Sequence, residues 1–277
     1  MIDNFIWSGG SLGSGVGFGK CGVNLQHATE STPYPFHLEE LKKGFNPPYT
    51  FSNIRNQIYS RTFPVLLGNK LGAKNIKNLS QGGMGIETHI RTLMSYIINN
   101  LESIDLEKTI VMLDSTDVTR VELPLADRYP IIDFLLSPIH NKEAALFFDN
   151  FFNIDHRLMN SLVHLLSFKG WCESMGITFY FCHFGHDYLN EFMEKTENVD
   201  INRTTINLPD NTWEPITYPN IKTIVDKIDV INIEIPIEYT FAGAGYHDDN
   251  HFTLTGHEYF SNVIYNKINE KNTNIRR

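Results

Sequence analysis

A serine set among glycines, just after a short apolar run, is the first arrangement in this sequence that could do chemistry. Phe5-Ile6-Trp7 leads into Ser8-Gly9-Gly10-Ser11-Leu12-Gly13-Ser14-Gly15. A serine on a tight turn at a strand's carboxyl end exposes its Oγ, and its own N–H is left to face a developing oxyanion. Phosphate binding is a rival use of the same glycines. Gly17-Phe18-Gly19-Lys20-Cys21-Gly22 spells G-x-G-x-x-G, but a dinucleotide fingerprint begins directly after its strand and opens a helix. Here a long stretch separates Trp7 from Gly17. The P-loop register that ends on Gly19-Lys20 puts Ser14 at the first glycine and Cys21 where a hydroxyl must meet Mg²⁺. Read alone, the segment is more readily an ordinary Gly/Ser turn than a nucleophile's, and a base elsewhere has to decide.

The tail offers one. It reads Tyr246-His247-Asp248-Asp249-Asn250-His251-Phe252, followed by Gly256-His257. Serine is a weak nucleophile until a histidine takes its proton, and that histidine needs a carboxylate on its other ring nitrogen. Asp248 precedes His251 by three residues, so a single loop can deliver both groups. Two other readings stay open. His247, His251 and His257 with Asp248 or Asp249 could bind a metal, although no H-x-x-x-H pair is placed on a helix and no CxxC partner exists. The segment could also be a polar turn whose Asp and Asn residues cap the next helix.

These groups must be held by a scaffold, and the pattern predicts one. Phe5–Trp7, Asn75–Leu79, Thr109–Leu113 and Ile177–Cys182 read as strands. Phe63–Leu71 has helical spacing and stops at Gly72, while Ile86–Leu101 sets its isoleucines and leucine on one face. Phe151–Gly170 and Leu254–Ile268 read as helices too. Residues 22–60 read as loop with one short helix near His37–Lys43, and 121–150 and 188–245 as Pro-containing insertions that shape a cleft. Alternating strands and helices predict one α/β domain over residues 1–277, with three layers around a mostly parallel sheet.

Composition excludes several classes. Among 277 residues, 42% are hydrophobic and 20% charged, which is a globular mixture. The net charge of −9 repels phosphate backbones, and only Ile275-Arg276-Arg277 is locally basic, so a nucleic-acid partner is not expected. No apolar run approaches the roughly 18 residues of a membrane span. The start, Met1-Ile2-Asp3-Asn4, lacks the pattern of a secretory signal. Cys21, Cys172 and Cys182 read as buried thiols rather than a disulfide framework. A cytoplasmic or otherwise non-secreted location is therefore expected.

Four islands in order resemble the SGNH (GDSL) hydrolase family, spread along the whole chain. Its first motif, G-D-S-L-x-x-G, is similar to Gly9–Gly15, with Gly10 in place of the Asp. Its second, N-x-[SA]-x-x-G, resembles Asn78-Leu79-Ser80-Gln81-Gly82-Gly83. Its third, G-x-N-D, falls on Asp114-Ser115-Thr116-Asp117, with Thr116 in place of the Asn. Its last, D-x-x-H, is Asp248–His251. The resemblance implies a flavodoxin-like fold and an esterase or acetylesterase acting on small-molecule or glycan esters. It implies Ser11 as nucleophile, His251 as base, Asp248 as its orienting acid, and Ser11, Gly83 and Thr116 as oxyanion donors. It calls for neither cofactor nor metal. The change at 10 bears on the stability of the turn, and the change at 116, an oxyanion position, keeps a non-catalytic module of the same fold as the alternative. Asp117 and Arg120 read as a structural pair, His183 and His186 as polar residues at a strand end, and His156 and His164 as surface or boundary residues.

Overall fold

The computed structural model of the chain describes residues 2–14, 46, 51–82, 84–115, 154–184, 221–240 and 251–275. Five strands form one sheet: β1 (Asn4–Ser8), β2 (Asn75–Asn78), β3 (Thr109–Asp114), β4 (Thr178–Phe184) and β5 (Ile231–Ile233). Their order is β2-β1-β3-β4-β5 and every pairing is parallel. That order is the flavodoxin-like doubly wound arrangement, in which ligands bind beyond the carboxyl ends of the strands.

The helices are α1 (Ser11–Ser14), α2 (Phe51–Arg61), α3 (Phe63–Lys70), α4 (Ile86–Asn99), α5 (Ile154–Ser174), α6 (Ile221–Ile228) and α7 (Leu254–Ile275). Successive strand side chains point to opposite faces, and each face has its own core. On one, Ile6, Val111, Leu113, Phe179 and Phe181 meet α4, α5 and α6. On the other, Phe5, Trp7, Met112, Tyr180 and Phe184 meet Phe63 and Leu67 of α3 and Phe260, Ile264 and Ile268 of α7. The sheet is thus covered on both sides, which is why β1 and β3 are buried at every residue. Burying each large side chain is worth about 1.5–3 kcal/mol.

The helix ends are specified locally. Gly72 and Gly176 have φ of 71° and 77°, a left-handed conformation that costs glycine little. Each closes its helix with the same pair of bonds. Gly72 N donates to Asn69 O and Ala73 N to Gly68 O; Gly176 N donates to Glu173 O and Ile177 N to Cys172 O. Gly72 was readable as the stop of α3. The helix predicted to end at Gly170 runs on to Ser174, because Gly170 sits in open space and nothing there halts it.

Two readings need correction. Within 22–60, expected as loop, Phe51–Arg61 is helical; the Pro- and Asn-rich residues before it mask its pattern. The short helix expected near His37–Lys43 lies outside the described residues, as does 121–150. The stretch 188–245 carries α6 and β5, which extend the sheet and its core through Ile224, Ile228, Ile231 and Ile233. A three-residue strand beside prolines leaves too little alternation to read. Among the described residues, no helix is long and apolar enough to cross a membrane.

Candidate active site

The site lies at the carboxyl ends of the central strands. β1 stops at Ser8, and the chain turns through Gly9-Gly10 directly into α1, which begins with Ser11. Backbone groups of this turn are held by residues remote in sequence. Gly10 N–H donates to Asp114 Oδ1 at 2.7 Å. Gly9 O accepts from Gln81 N at 2.9 Å. Gly13 O accepts from Asn78 Nδ2 at 2.8 Å, while Asn78 Oδ1 accepts from Ser80 N at 3.1 Å. The glycines are needed for this approach. A Cβ on Gly9 would run into the Asp114 carboxylate, and one on Gly13 would lie 2.6 Å from Ser80 Oγ.

Asp114 ends a strand of buried apolar residues and is itself 1% exposed. Its other oxygen accepts Trp7 Nε1–H at 3.2 Å. In the sequence it stands only as the first letter of the third motif. A charged residue closing an apolar strand was the available signal, but its partners lie more than a hundred residues away.

His251 stands just before α7, half-buried. Its neighbour Phe252 fixes the backbone there. The Phe252 ring stacks on Phe260 at 3.9 Å and lies 5.6 Å from Phe184, the last residue of β4. It also lies 5.9 Å from Phe63, whose ring is 5.0 Å from Trp7 near the end of β1. Phe252 further bridges Thr240. Ser11 and His251 are therefore carried to the same end of the sheet. Asp248, Gly83 and Thr116 lie outside the described residues, as do His247, Asp249, Asp117, Arg120, His186 and Cys21.

The start of α7 is tied down as well. Thr253 Oγ1 accepts Gly256 N–H at 3.1 Å, an N-cap, and Thr253 N donates to Tyr239 O at 2.9 Å. A Cβ on Gly256 would collide with the same Tyr239 carbonyl.

His257, one of the histidines open to metal binding, has a different job. It is 1% exposed, and its Nδ1 accepts the N–H of Phe63 at 3.0 Å. That bond caps the first turn of α3, where a helix N–H has no partner of its own. Burial, with the nearby His251 as a smaller cause, pushes the His257 pKa down to about 3. The ring is therefore neutral in the folded protein, and its lone pair at Nδ1 is already taken.

A pH dependence follows. The unfolded chain binds a proton here below about pH 6.5, whereas the folded chain does so only near 3. Stability from the neutral ring is whole above the unfolded pKa and is lost as pH falls toward the folded one. At pH 5 the loss from this group is about 2 kcal/mol. His257→Asn keeps an acceptor for Phe63 N–H without the titration. Urea unfolding at pH 7.5 and pH 5 is expected to show the wild type losing about 2 kcal/mol more than the variant. Equal losses would remove His257 from the acid response.

Other titratable groups brace the scaffold. Arg157 on α5 grips Glu87 on α4 with two bonds of 2.6 Å, and the half-exposed His164 joins at 3.3 Å. Ser8 Oγ and His89 Nδ1 are 2.9 Å apart and fully buried between β1 and α4. This Ser–His pair went unnoticed in the sequence. Its burial keeps it from any substrate. Burial also pushes the Cys172 thiol up to about 12.

No family model matches this sequence, and no curated protein matches it. Similar solved structures include an acetyl xylan esterase from the rumen bacterium Butyrivibrio proteoclasticus, at 11% identity and TM-score 0.46, covering 97% of this chain and 64% of that one. A phospholipase A1 from Streptomyces albidoflavus is similar at 11% identity and TM-score 0.37, covering 96% of this chain and 100% of that one. A member of the lipolytic G-D-S-L family from Veillonella parvula is similar at 8% identity and TM-score 0.37, covering 94% of each chain. These neighbours are an esterase, a phospholipase and a lipolytic protein. At such identities and scores they carry no argument about activity; the fold stands on its strand order and the chemistry on its residues.

Proposed function

We propose that this chain is a serine hydrolase of carboxylic esters, an esterase or acetylesterase whose substrates include O-acetyl groups on glycans. The observation that carries the reading is the clamped turn. The backbone that presents Ser11 at the end of the central strand is fixed at Gly9, Gly10 and Gly13 by residues from two other strand ends. Preorganisation of this kind is what a nucleophile and its oxyanion donors require.

In this mechanism Ser11 Oγ attacks the ester carbonyl carbon while His251 takes the hydroxyl proton. Asp248 accepts the other ring N–H and holds the imidazolium. The carbonyl oxygen becomes an oxyanion, held by the N–H groups of Ser11 and Gly83 and by the Thr116 hydroxyl. A hydroxyl reaches less far than an amide, so Thr116 is the weakest of the three donors. The C–O bond to the alcohol then breaks, and the departing oxygen takes the proton from His251. Water, activated by the same histidine, releases the acid from the acyl-enzyme and restores Ser11. No step needs a cofactor.

A fluorophosphonate probe with peptide mapping tests the reading. Labelling is expected at Ser11, and prior heat denaturation should abolish it. Labelling of another serine, or none on the folded protein, would overturn it.

A further inference from the structure

We propose that Asp114 is a positioning residue for the nucleophile turn, delivering from the end of β3 the carboxylate that fixes the peptide ahead of Ser11. The inference deepens the serine-hydrolase reading and rests on it.

The geometry points to a dedicated clamp. Both Asp114 oxygens face N–H donors: Gly10 N–H at 2.7 Å and the Trp7 indole at 3.2 Å. The carboxylate is 1% exposed, and a buried carboxylate costs several kcal/mol unless donors compensate it. Hydrogen bonds to an ionised acceptor are roughly twice as strong as neutral ones. Gly9 passes so close to the carboxylate that no side chain could stand there. Only an acceptor with two equivalent oxygens serves both donors; an amide offers one oxygen and one NH₂.

Positions 10 and 114 are also where the sequence departs from the motifs it resembles. A glycine stands where the first motif has an acid, and an acid where the third has a glycine. In the structure the two departures meet across one hydrogen bond. The carboxylate that meets the turn in this chain thus comes from position 114, at the end of β3.

Asp114 does not touch substrate in this account; it acts through the orientation of Ser11. Asp114→Asn leaves one of the two donors facing an NH₂ group. It is expected to lower kcat on p-nitrophenyl acetate by about 10–100-fold with KM nearly constant, because a small misplacement of the nucleophile acts on the chemical step. Trp7→Phe removes the competing donor. In the double variant Trp7→Phe/Asp114→Asn the amide oxygen can turn to Gly10, and kcat should recover most of the loss relative to Trp7→Phe alone. A full-rate Asp114→Asn overturns the proposal. So does a double variant as slow as the single one, which would assign the effect to charge rather than to the hold on Gly10.

Amide hydrogen exchange on the wild type keeps the test independent of folding of the variants. Gly10 N–H should exchange at least a hundredfold slower than an exposed amide, and an unprotected Gly10 refutes the clamp. If the wild type neither turns over ester nor takes the probe, the hydrolase reading fails. The exchange result then still decides whether the clamp exists.

Discussion

Ser11→Ala is expected to cut hydrolysis of p-nitrophenyl acetate by about 10⁴-fold or more, the scale seen when a serine nucleophile is removed. The melting temperature should stay within a degree or two. Ser11 opens a short helix, a place where alanine is well tolerated. The neighbouring serines are the controls. Ser8 is fully buried with its Oγ against His89 Nδ1, so Ser8→Ala should cost about 1 kcal/mol of stability and leave kcat within severalfold. Ser14→Ala should do little to either quantity. Loss of turnover in Ser8→Ala or Ser14→Ala, with Ser11→Ala active, would show that the motif register is shifted.

The other large effect concerns His251. In the absence of its base, Ser11 keeps its proton, and His251→Ala should lower kcat by about 10³–10⁴-fold. The rate of fluorophosphonate labelling should fall with it, because both reactions need an activated Oγ. Added imidazole is expected to restore part of the activity, since removing a half-buried ring leaves space open to solvent. It should restore nothing in Ser11→Ala. His257→Asn is the informative contrast. Its ring caps α3 through Phe63 N–H, so it should move stability against pH while kcat at neutral pH stays near the wild-type value. If His257 variants lose turnover and His251→Ala does not, the assignment of the base is wrong.

The scaffold was largely legible because its central strands are buried on both faces. Phe5-Ile6-Trp7, Ile110–Leu113 and Phe179–Cys182 are near-continuous apolar runs, and each is a strand. β5 escaped because Ile231-Asn232-Ile233 is too short to show a period. Ser11 could be singled out because its glycines are its sequence neighbours. The clamp around it could not, since Gly10 and Asp114 meet only after β1 and β3 pair. Polar residues at the same strand ends gave no hint of partner choice. Asn78 reads as one more asparagine until its amide is seen on Gly13 O. His257 shows the converse. Its place beside the Asp248–His251 segment makes it a metal-ligand candidate in the sequence, whereas its bond to Phe63 is a tertiary one.

The sheet order has a consequence for how the protein is made. β1 is translated ahead of both strands it pairs with, β2 and β3, whose residues follow some seventy and a hundred positions later. Its aromatic face, Phe5 and Trp7, shares a core with Phe260, Ile264 and Ile268 of the last helix. During synthesis α3 can cover part of that face early, and the rest stays open until α7 has emerged. Parallel pairing over such separations is slow, and exposed aromatic strands invite association in the meantime. A nascent chain stalled before α7 should accordingly bind holdase chaperones through β1 and release them once α7 is out. The strand that leads into Ser11 is thus translated some 250 residues before the helix that completes its shelter.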